Sequence, residues 1–564
     1  MGQRRGVQVE RLDHLGIVAG ICQEIGLVAS LDALAGPSQQ DVSIGTATVA
    51  MILNGLGFSN RRLYLVSQFF ATKPVEHLLG PGISAEQLHD DCLGRTLDWL
   101  YAHDPTTLFA GIARRARQRF GIRARQVHVD TTSFSVSGTY VSGAEGAANQ
   151  GEDQGEDDAH LIAVTYGYSR DHREDLKQWM LALATTRQGD VPLYLQTLDG
   201  NASDKISLVA AVEALADQLQ GTPEADPEAA PIFVADSGLY SAANVARLAQ
   251  AGVRWISRVP ETSQEAKQAA ATAATLPAAD WQGEGGRWWR GAAEAPDGQR
   301  WVVGRTTQGE QRARATLTRQ AEQARARWEK TLWHLRNQSF ACAPGAQAAL
   351  DRVLQRCPPW LRVEAHLVAQ PTHARPGRPR KGAMPDGQVW RVEATLTVDA
   401  VALEHEVVRR ACFVVATNVL DEAHLSDEEL LRTYGEQHSV ERGFAFLKDP
   451  LFLASFVFVK KPERIVALSL VMVLCLLVYR LAEHRLREQL AATGQTVPNQ
   501  LNQLSKPTDR PTMRWMFQCF EGISLVRFPS SGGPPSQDIA GLEPLHEQVL
   551  ALLGPTCTKF YEPT

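Results

Sequence analysis

Paired cysteines, a strong net charge and a membrane-length apolar run are all missing from this chain of 564 residues. Its eight cysteines are scattered singly, with no CxxC pair and no Cys/His ladder at zinc spacing. That argues against a disulfide framework or a structural zinc site and fits a reducing, cytoplasmic setting. The formal charge is only −6, so no global positive field advertises nucleic acid, and any such contact rests on local clusters. The most apolar stretch, Ile465 to Tyr479, is about fifteen residues, short of the roughly twenty that a bilayer core requires. It reads as a buried helix, and no membrane role is expected. Positive charge near the N-terminus has no apolar stretch behind it, so Met1 to Gly16 does not read as a signal peptide.

What is present is an ordinary folding composition, 44% hydrophobic and 21% charged, in a chain long enough for several domains. Residues 1–120 alternate amphipathic runs with turn signals such as Gly80-Pro81-Gly82 and predict a helical N-terminal domain. Within it, two apolar-faced helices flank Gly57-Phe58-Ser59-Asn60, a pattern that fits a helix-turn-helix and a plain helical hairpin equally. From 121 to 261 the pattern changes to β-rich runs, QVHVDTTSFSV, HLIAVTYGYS and QWMLALATT, read as an antiparallel meander. A helix SLVAAVEALADQLQG, a buried strand PIFVADSG, a helix capped by Ser241 and a strand VRWISRVP follow. The order is β-β-β-α-β-α-β.

Residues 262–405 break that series with an Ala-rich segment, tryptophans 281, 288, 289 and 301, a long helix from about Glu310 to Arg336, and a Pro/Arg loop. They read as an insertion. The core resumes over 406–490 with the strand ACFVVATN and a capping box at Ser426 to Glu429, and 491–564 forms a C-terminal extension.

Three carboxylates stand out by position. Asp130 interrupts the apolar alternation of the first core strand, and Asp236 ends the buried strand IFVAD before Ser237-Gly238. Each alone is equally an Asx-turn or a helix cap. The third lies in YGEQHSVERGFAFLK, where Tyr434, Gln437, Glu441 and Lys448 share one helical face if the helix is continuous. Gly435 weakens that continuity, and an ordinary amphipathic helix with Val440, Phe444 and Leu447 inward is the plainer alternative.

Taken together, these acids fall in the order of a ribonuclease-H-like nuclease: first strand, end of the fourth, late helix. VHVDTTSF, YGYSRDHREDLKQ, PLYLQTLDGNASD, FVADSGLYS and the Glu441 helix resemble the DDE transposases of bacterial insertion sequences. The nearest likeness is to the group with a Tyr-x-x-Arg-x-x-x-Glu-x6-Lys signature and a long helical N-terminal domain. The resemblance implies an α/β fold, an RNase-H-like mixed-sheet catalytic core interrupted by a large insertion, with an all-α N-terminal domain that grips terminal inverted repeats. It maps Asp130, Asp236 and Glu441 onto a catalytic, metal-binding triad, and Tyr434 and Lys448 onto DNA-contacting signature positions. Gln437 stands where the signature has arginine, so Arg442 or His438 is expected to supply the missing cation.

Two carboxylates about 4 Å apart repel by roughly 4 kcal/mol at an effective dielectric near 20. A divalent cation offsets this, and all-oxygen ligands favour Mg²⁺ or Mn²⁺, with two ions expected for phosphodiester chemistry. The loop carrying Arg375, Arg378, Arg380 and Lys381 resembles an AT-hook that lays arginines in a narrow minor groove. The arginine-rich insertion helix is a second phosphate-contacting candidate, and one insertion tryptophan is a candidate for stacking on an extruded base. The expected partners are double-stranded DNA, at terminal inverted repeats and target, and a second copy in a synaptic homodimer, acting at the bacterial nucleoid. A catalytically silent DNA-binding relative and a different RNase-H-like nuclease are the rival readings.

Overall fold

The computed structural model describes residues 7–37, 40–58, 65–136, 161–169, 173–220, 230–283, 285–291, 295–373, 384–449, 461–499, 506–528 and 536–563. Two compact units divide the chain, one formed by Met1–Ile256 with Thr433–Thr564, the other by Ser257–Arg432.

The first unit opens with a short strand β1 (Gln8–Arg11) and the helices α1 (Leu15–Glu24), α2 (Leu27–Ala35), α3 (Ile44–Leu56), α4 (Asp90–Ala102) and α5 (Pro105–Phe120). Local chemistry sets their ends. Ser43 accepts the Thr46 N–H at the start of α3, Asp104 caps α5 ahead of Pro105, and Gly121 closes α5 in the left-handed region.

The sheet follows. Strands β2 (Gln126–Val136), β3 (Lys177–Thr186) and β4 (Pro192–Leu198) form the antiparallel meander, and helix α6 (Asp204–Gln220) crosses over to β5 (Ile232–Ala235), which runs parallel to β2. Helix α7 (Ala242–Gln250), capped by Ser241 as its sequence predicts, leads to β6 (Arg254–Arg258). The spatial order β4-β3-β2-β5-β6 is the mixed arrangement of an RNase-H-like core.

One predicted strand is corrected. HLIAVTYGYS is not the middle of the meander; it touches the sheet through a single bridge between Thr165 and Gln178. Gly167 lies so close to the Gly200 carbonyl that a Cβ there would come within 2.1 Å of it, and the Gln178 amide donates to the carbonyls of Tyr168 and Gly200. The chain is pinned edge-on there, and Pro192–Leu198 takes the third place in the sheet.

In the second unit, helix α8 (Gln264–Ala274) is followed by β7 (Arg287–Gly291), β8 (Arg300–Thr306) and the thirty-residue helix α9 (Thr307–Arg336). Then come α10 (Ala343–Leu354), a long hairpin of β9 (Leu361–Thr372) and β10 (Gly387–Val398), α11 (Ala400–Ala411) and β11 (Phe413–Thr417). Strand β11 pairs with β8, and β8 with β7. Leu317, Ala321, Trp328, Leu332 and Leu335 make the buried stripe of α9. Helix α12 (Asp427–Gly435) starts where the Glu429 N–H donates to Ser426 Oγ at 3.2 Å, one half of the predicted capping box.

Helices α13 (His438–Leu447) and α14 (Pro462–Thr493) complete the core of the first unit. The apolar run read from the sequence makes up most of the N-terminal half of α14, which has 32 residues and closes at the left-handed Gly494. It is long and apolar enough to cross a membrane, yet its whole apolar window is buried by protein. Helices α1, α3, α4, α5 and α13 and strand β4 all pack around it, and one continuous apolar core joins them. Strands β12 (Ser524–Phe528) and β13 (Ser536–Ala540) extend the chain, and β12 pairs with β1, so the N-terminal helices are tied to the C-terminal segment.

Candidate active site

Strand pairing brings the first two acids to one level. In the parallel pair β2–β5, His128 is aligned with Val234. Asp130 and Asp236 each follow two residues later, and neighbouring strands lie about 5 Å apart. Asp130 is 7% exposed and its Oδ1 accepts the Thr131 N–H at 2.7 Å. Asp236 leaves the sheet in the predicted turn, where Oδ1 accepts the Gly238 N–H at 2.8 Å. The Asx-turn reading of Asp236 is therefore realised, at the strand end where a ligand carboxylate would also stand.

Helix α13 lays the third acid alongside. Ser439 Oγ lies 3.1 Å from Thr185 Oγ1, and Thr185 is the β3 partner of His128. Gly443 sits against Leu183, the partner of Asp130, and Lys448 Nζ is 5.6 Å from the Phe134 ring centroid. The helix thus runs in the direction of β2, with Ser439 and Gly443 on the face against β3 and the Glu441 side chain, 59% exposed, turned about 200° away from Ser439. Its carboxylate has a ring partner: His438 Nδ1 is 2.7 Å from Glu441 Oε2.

The three carboxylates do not converge to contact. Among the described residues, the one trio of acid or histidine ligand atoms within 4.8 Å of one another is His89, Asp90 and Asp91. All three are exposed at the start of α4, where the His89 ring caps the Cys92 N–H, an ordinary acidic helix N-terminus. Asp130, Asp236 and Glu441, expected to meet, do not form such a group, and the Glu441 side chain is 59% exposed.

The signature residues are less of a unit than a continuous helix would make them. Helix α12 ends at Gly435, and a tight turn bonds the Gln437 N–H to the Tyr434 carbonyl at 3.2 Å before α13 begins. Tyr434 and Glu441 therefore sit on different helices. Arg442, expected to replace the missing arginine, donates to Asp190 Oδ2 from Nε at 3.0 Å and from Nη2 at 2.7 Å. Arg375, Arg378, Arg380 and Lys381 lie outside the described residues.

Sequence reasoning missed the hairpin groups that hold α13: Thr185, Arg187 and Asp190. It missed His128 as well, which is fully buried with no hydrogen-bond partner at either ring nitrogen, and whose pKa burial pushes down to about 4. The insertion tryptophans 281 and 301 are buried, and the Arg305 guanidinium lies over both Trp281 and Trp288. The exposed tryptophan is Trp333 on α9, 60% accessible.

A family model described as a transposase DDE domain matches residues 124–478. The chain belongs to the DDE transposase family. A second model, described as a domain of unknown function (DUF4277), matches residues 7–114 of this transposase. Among solved structures, the transposase is similar to a piggyBac transposase in a synaptic complex with hairpin DNA, at a TM-score of 0.36 and 8% identity, over 92% of this chain and 82% of that one. A search of curated proteins finds no match.

Transposases of this family use divalent metal ions, and the residues present fit one. Asp130, Asp236 and Glu441 are hard oxygen donors with no thiolate among them, which suits Mg²⁺ or Mn²⁺ over softer metals. Asp130, Asp236 and Glu441 are the acids that would hold such an ion, which would supply positive charge to the DNA phosphate.

Proposed function

We propose that this transposase cuts DNA at the terminal inverted repeats of an insertion sequence and joins the cut ends to target DNA. The observation that carries the reading is that Asp130 on β2 and Asp236, just past the end of β5, each follow two residues after the aligned parallel pair His128 and Val234, with Glu441 on the helix that packs on β3. Asp130, Asp236 and Glu441 are the residues that would hold Mg²⁺ or Mn²⁺, two ions by the chemistry of phosphodiester exchange. Bound there, the metal supplies charge for the attacking and departing oxygens.

The chain's own groups do the rest. Lys448, half-buried at the end of α13, offers a point charge to a phosphate, and Tyr434 a neutral hydroxyl donor. Gln437 contributes an amide where the signature has a cation, and the Arg442 guanidinium is already paired with Asp190. Duplex DNA is held elsewhere by the helical N-terminal domain at the repeats, by the outward face of α9, and by Arg375, Arg378, Arg380 and Lys381 in an A·T-rich minor groove. Two copies, each on one end, would form the synaptic complex.

The test is cleavage of a duplex taken from the DNA flanking the coding sequence, with Mg²⁺ or Mn²⁺. Asp130→Asn, Asp236→Asn and Glu441→Gln should each slow cutting by roughly a thousandfold or more, about 4 kcal/mol of barrier. Any of the three cutting at the wild-type rate removes that residue from the chemistry. Robust hydrolysis with no joining to target DNA would favour a nuclease over a transposase.

A further inference from the structure

The helix carrying Glu441 is fastened to the β3–β4 hairpin at three points along its first turns. Arg187 pairs with Glu436 just before α13, Thr185 Oγ1 meets Ser439 Oγ at 3.1 Å, and Asp190 receives Arg442. Arg187 is itself fixed to β2, donating from Nη1 to Gln126 Oε1 at 2.7 Å.

We propose that Asp190 is a positioning residue, setting through Arg442 where Glu441 stands relative to Asp130 and Asp236. The inference rests on the reading of Glu441 as a catalytic acid. Its ground is a chain of links from one acid to the other. Asp130 on β2 is paired with Leu183 on β3; β3 leads into the hairpin that ends at Asp190; Asp190 grips Arg442; and Arg442 is the residue after Glu441. In an α-helix each residue turns by about 100° from the last, so fixing Arg442 fixes the direction of Glu441.

The hairpin is built to hold its carboxylate still. Asp190 has φ +54, a left-handed conformation that aspartate tolerates better than most residues. Gly189 before it has φ +80, and a Cβ there would lie 2.9 Å from the His484 ring. Asp190 is 8% exposed, and a second arginine, Arg480, reaches to 3.7 Å of it. A carboxylate so nearly dry demands cationic partners. Arg442, by contrast, is 56% exposed at the side chain and lines a cleft of about 600 Å³ with Arg187, Asp190 and Glu436. The pair is thus anchored on the hairpin side and open on the helix side, so weakening it would move α13 more readily than the sheet.

The experiment uses the full chain with the flanking-DNA duplex and Mn²⁺, comparing wild type, Asp190→Asn, Arg442→Gln, the double variant and Glu441→Gln. Asparagine keeps the left-handed backbone and an acceptor oxygen while removing the charge, and Arg442→Gln changes a side chain that is half in solvent. Asp190→Asn should cut at least about tenfold more slowly at saturating DNA, with DNA affinity within about twofold of wild type. Mn²⁺ binding, followed by electron paramagnetic resonance, should weaken severalfold, and the double variant should be no slower than the slower single one. Wild-type cutting and Mn²⁺ affinity in Asp190→Asn would overturn the proposal, as would losses that simply add in the double variant. Full activity in Glu441→Gln would instead sink the reading of the acid itself, so the two failures are told apart.

Discussion

Asp130 on β2 and Asp236, just past the end of β5, each stand two residues beyond the aligned pair His128 and Val234 of adjacent parallel strands. Two ionised carboxylates held at about the spacing of neighbouring strands, roughly 5 Å, would repel by about 3 kcal/mol at an effective dielectric near 20. The Thr131 and Gly238 N–H groups each donate to one of the acids, which offsets part of this. Where these acids hold a metal ion, as proposed, the site is destabilised until the cation arrives. In EDTA, Asp130→Asn and Asp236→Asn should raise the melting temperature, by the equivalent of about 1 kcal/mol. Added Mg²⁺ or Mn²⁺ should raise the melting temperature of wild type and leave that of either variant nearly unchanged. Equal metal responses in all three proteins would argue that the two acids do not share an ion.

The approach of α13 to the sheet depends on Gly443. A Cβ there would lie 3.1 Å from Leu183 Cδ2 and 3.3 Å from Leu476 Cδ2, both ends of flexible side chains that can give a little. Gly443→Ala should be near neutral, since the crowding is offset by about 1 kcal/mol of helix propensity. Gly443→Val should destabilise by roughly 2 kcal/mol through overpacking and slow DNA cutting, because it pushes the helix that carries Glu441 away from the partner of Asp130. Measured together, unfolding free energy and cleavage rate should fall for valine and hold for alanine.

A pH dependence follows from His14, which lies fully buried against Phe517 with ring centroids 4.3 Å apart and Nε2 2.8 Å from the Leu56 carbonyl. Burial pushes its pKa down to about 4 from 6.5, against the opposing pull of the Leu56 bond and Asp13. Between pH 6.5 and 4 the unfolded chain binds the proton and the folded one does not, so stability present above pH 6.5 is lost as pH falls through this window. The shift corresponds to an order of about 3 kcal/mol. Thermal midpoints of His14→Phe, which keeps the ring stacking, should fall less steeply than wild type from pH 6.5 to 4. Parallel curves would mean that other groups govern the acid limb.

How much of this was legible depends on how local each signal is. Strand β2, the helix capped by Ser241, the strand ending at Asp236 and the Ser426 cap each follow from a few adjacent residues, and each stands where the sequence puts it. HLIAVTYGYS failed because its apolar alternation says nothing of the close approach of Gly167 to Gly200, which are 33 residues apart. PLYLQTL was legible as a motif and overlooked as a strand. The three acids were readable as an ordered set, whereas the pairing of Asp190 with Arg442 spans 252 residues and leaves only a Gly-Asp turn as its local trace. The face shared by Tyr434 and Glu441 was the period of one helix extended through a glycine that ends it.

The outward face of α9 carries the last prediction. Opposite its buried stripe stand Arg312, Arg319, Lys330 and the exposed Trp333, with Glu322 beside them. Arg314 and Arg325 are already committed, to Glu404 and Glu329, and so have less to offer a phosphate. If the face contacts duplex DNA, each free cation displaces about one counterion, contributing roughly 0.9 to the slope of log affinity against log salt. Arg319→Ala and Lys330→Ala should therefore each flatten that slope by about one and weaken binding at moderate salt for every duplex sequence alike. Arg314→Ala should change the slope far less. Trp333→Ala separates stacking from charge: a loss of affinity for single-stranded or unpaired DNA with the duplex salt slope unchanged assigns the ring to a base, and no loss leaves α9 as a purely electrostatic surface.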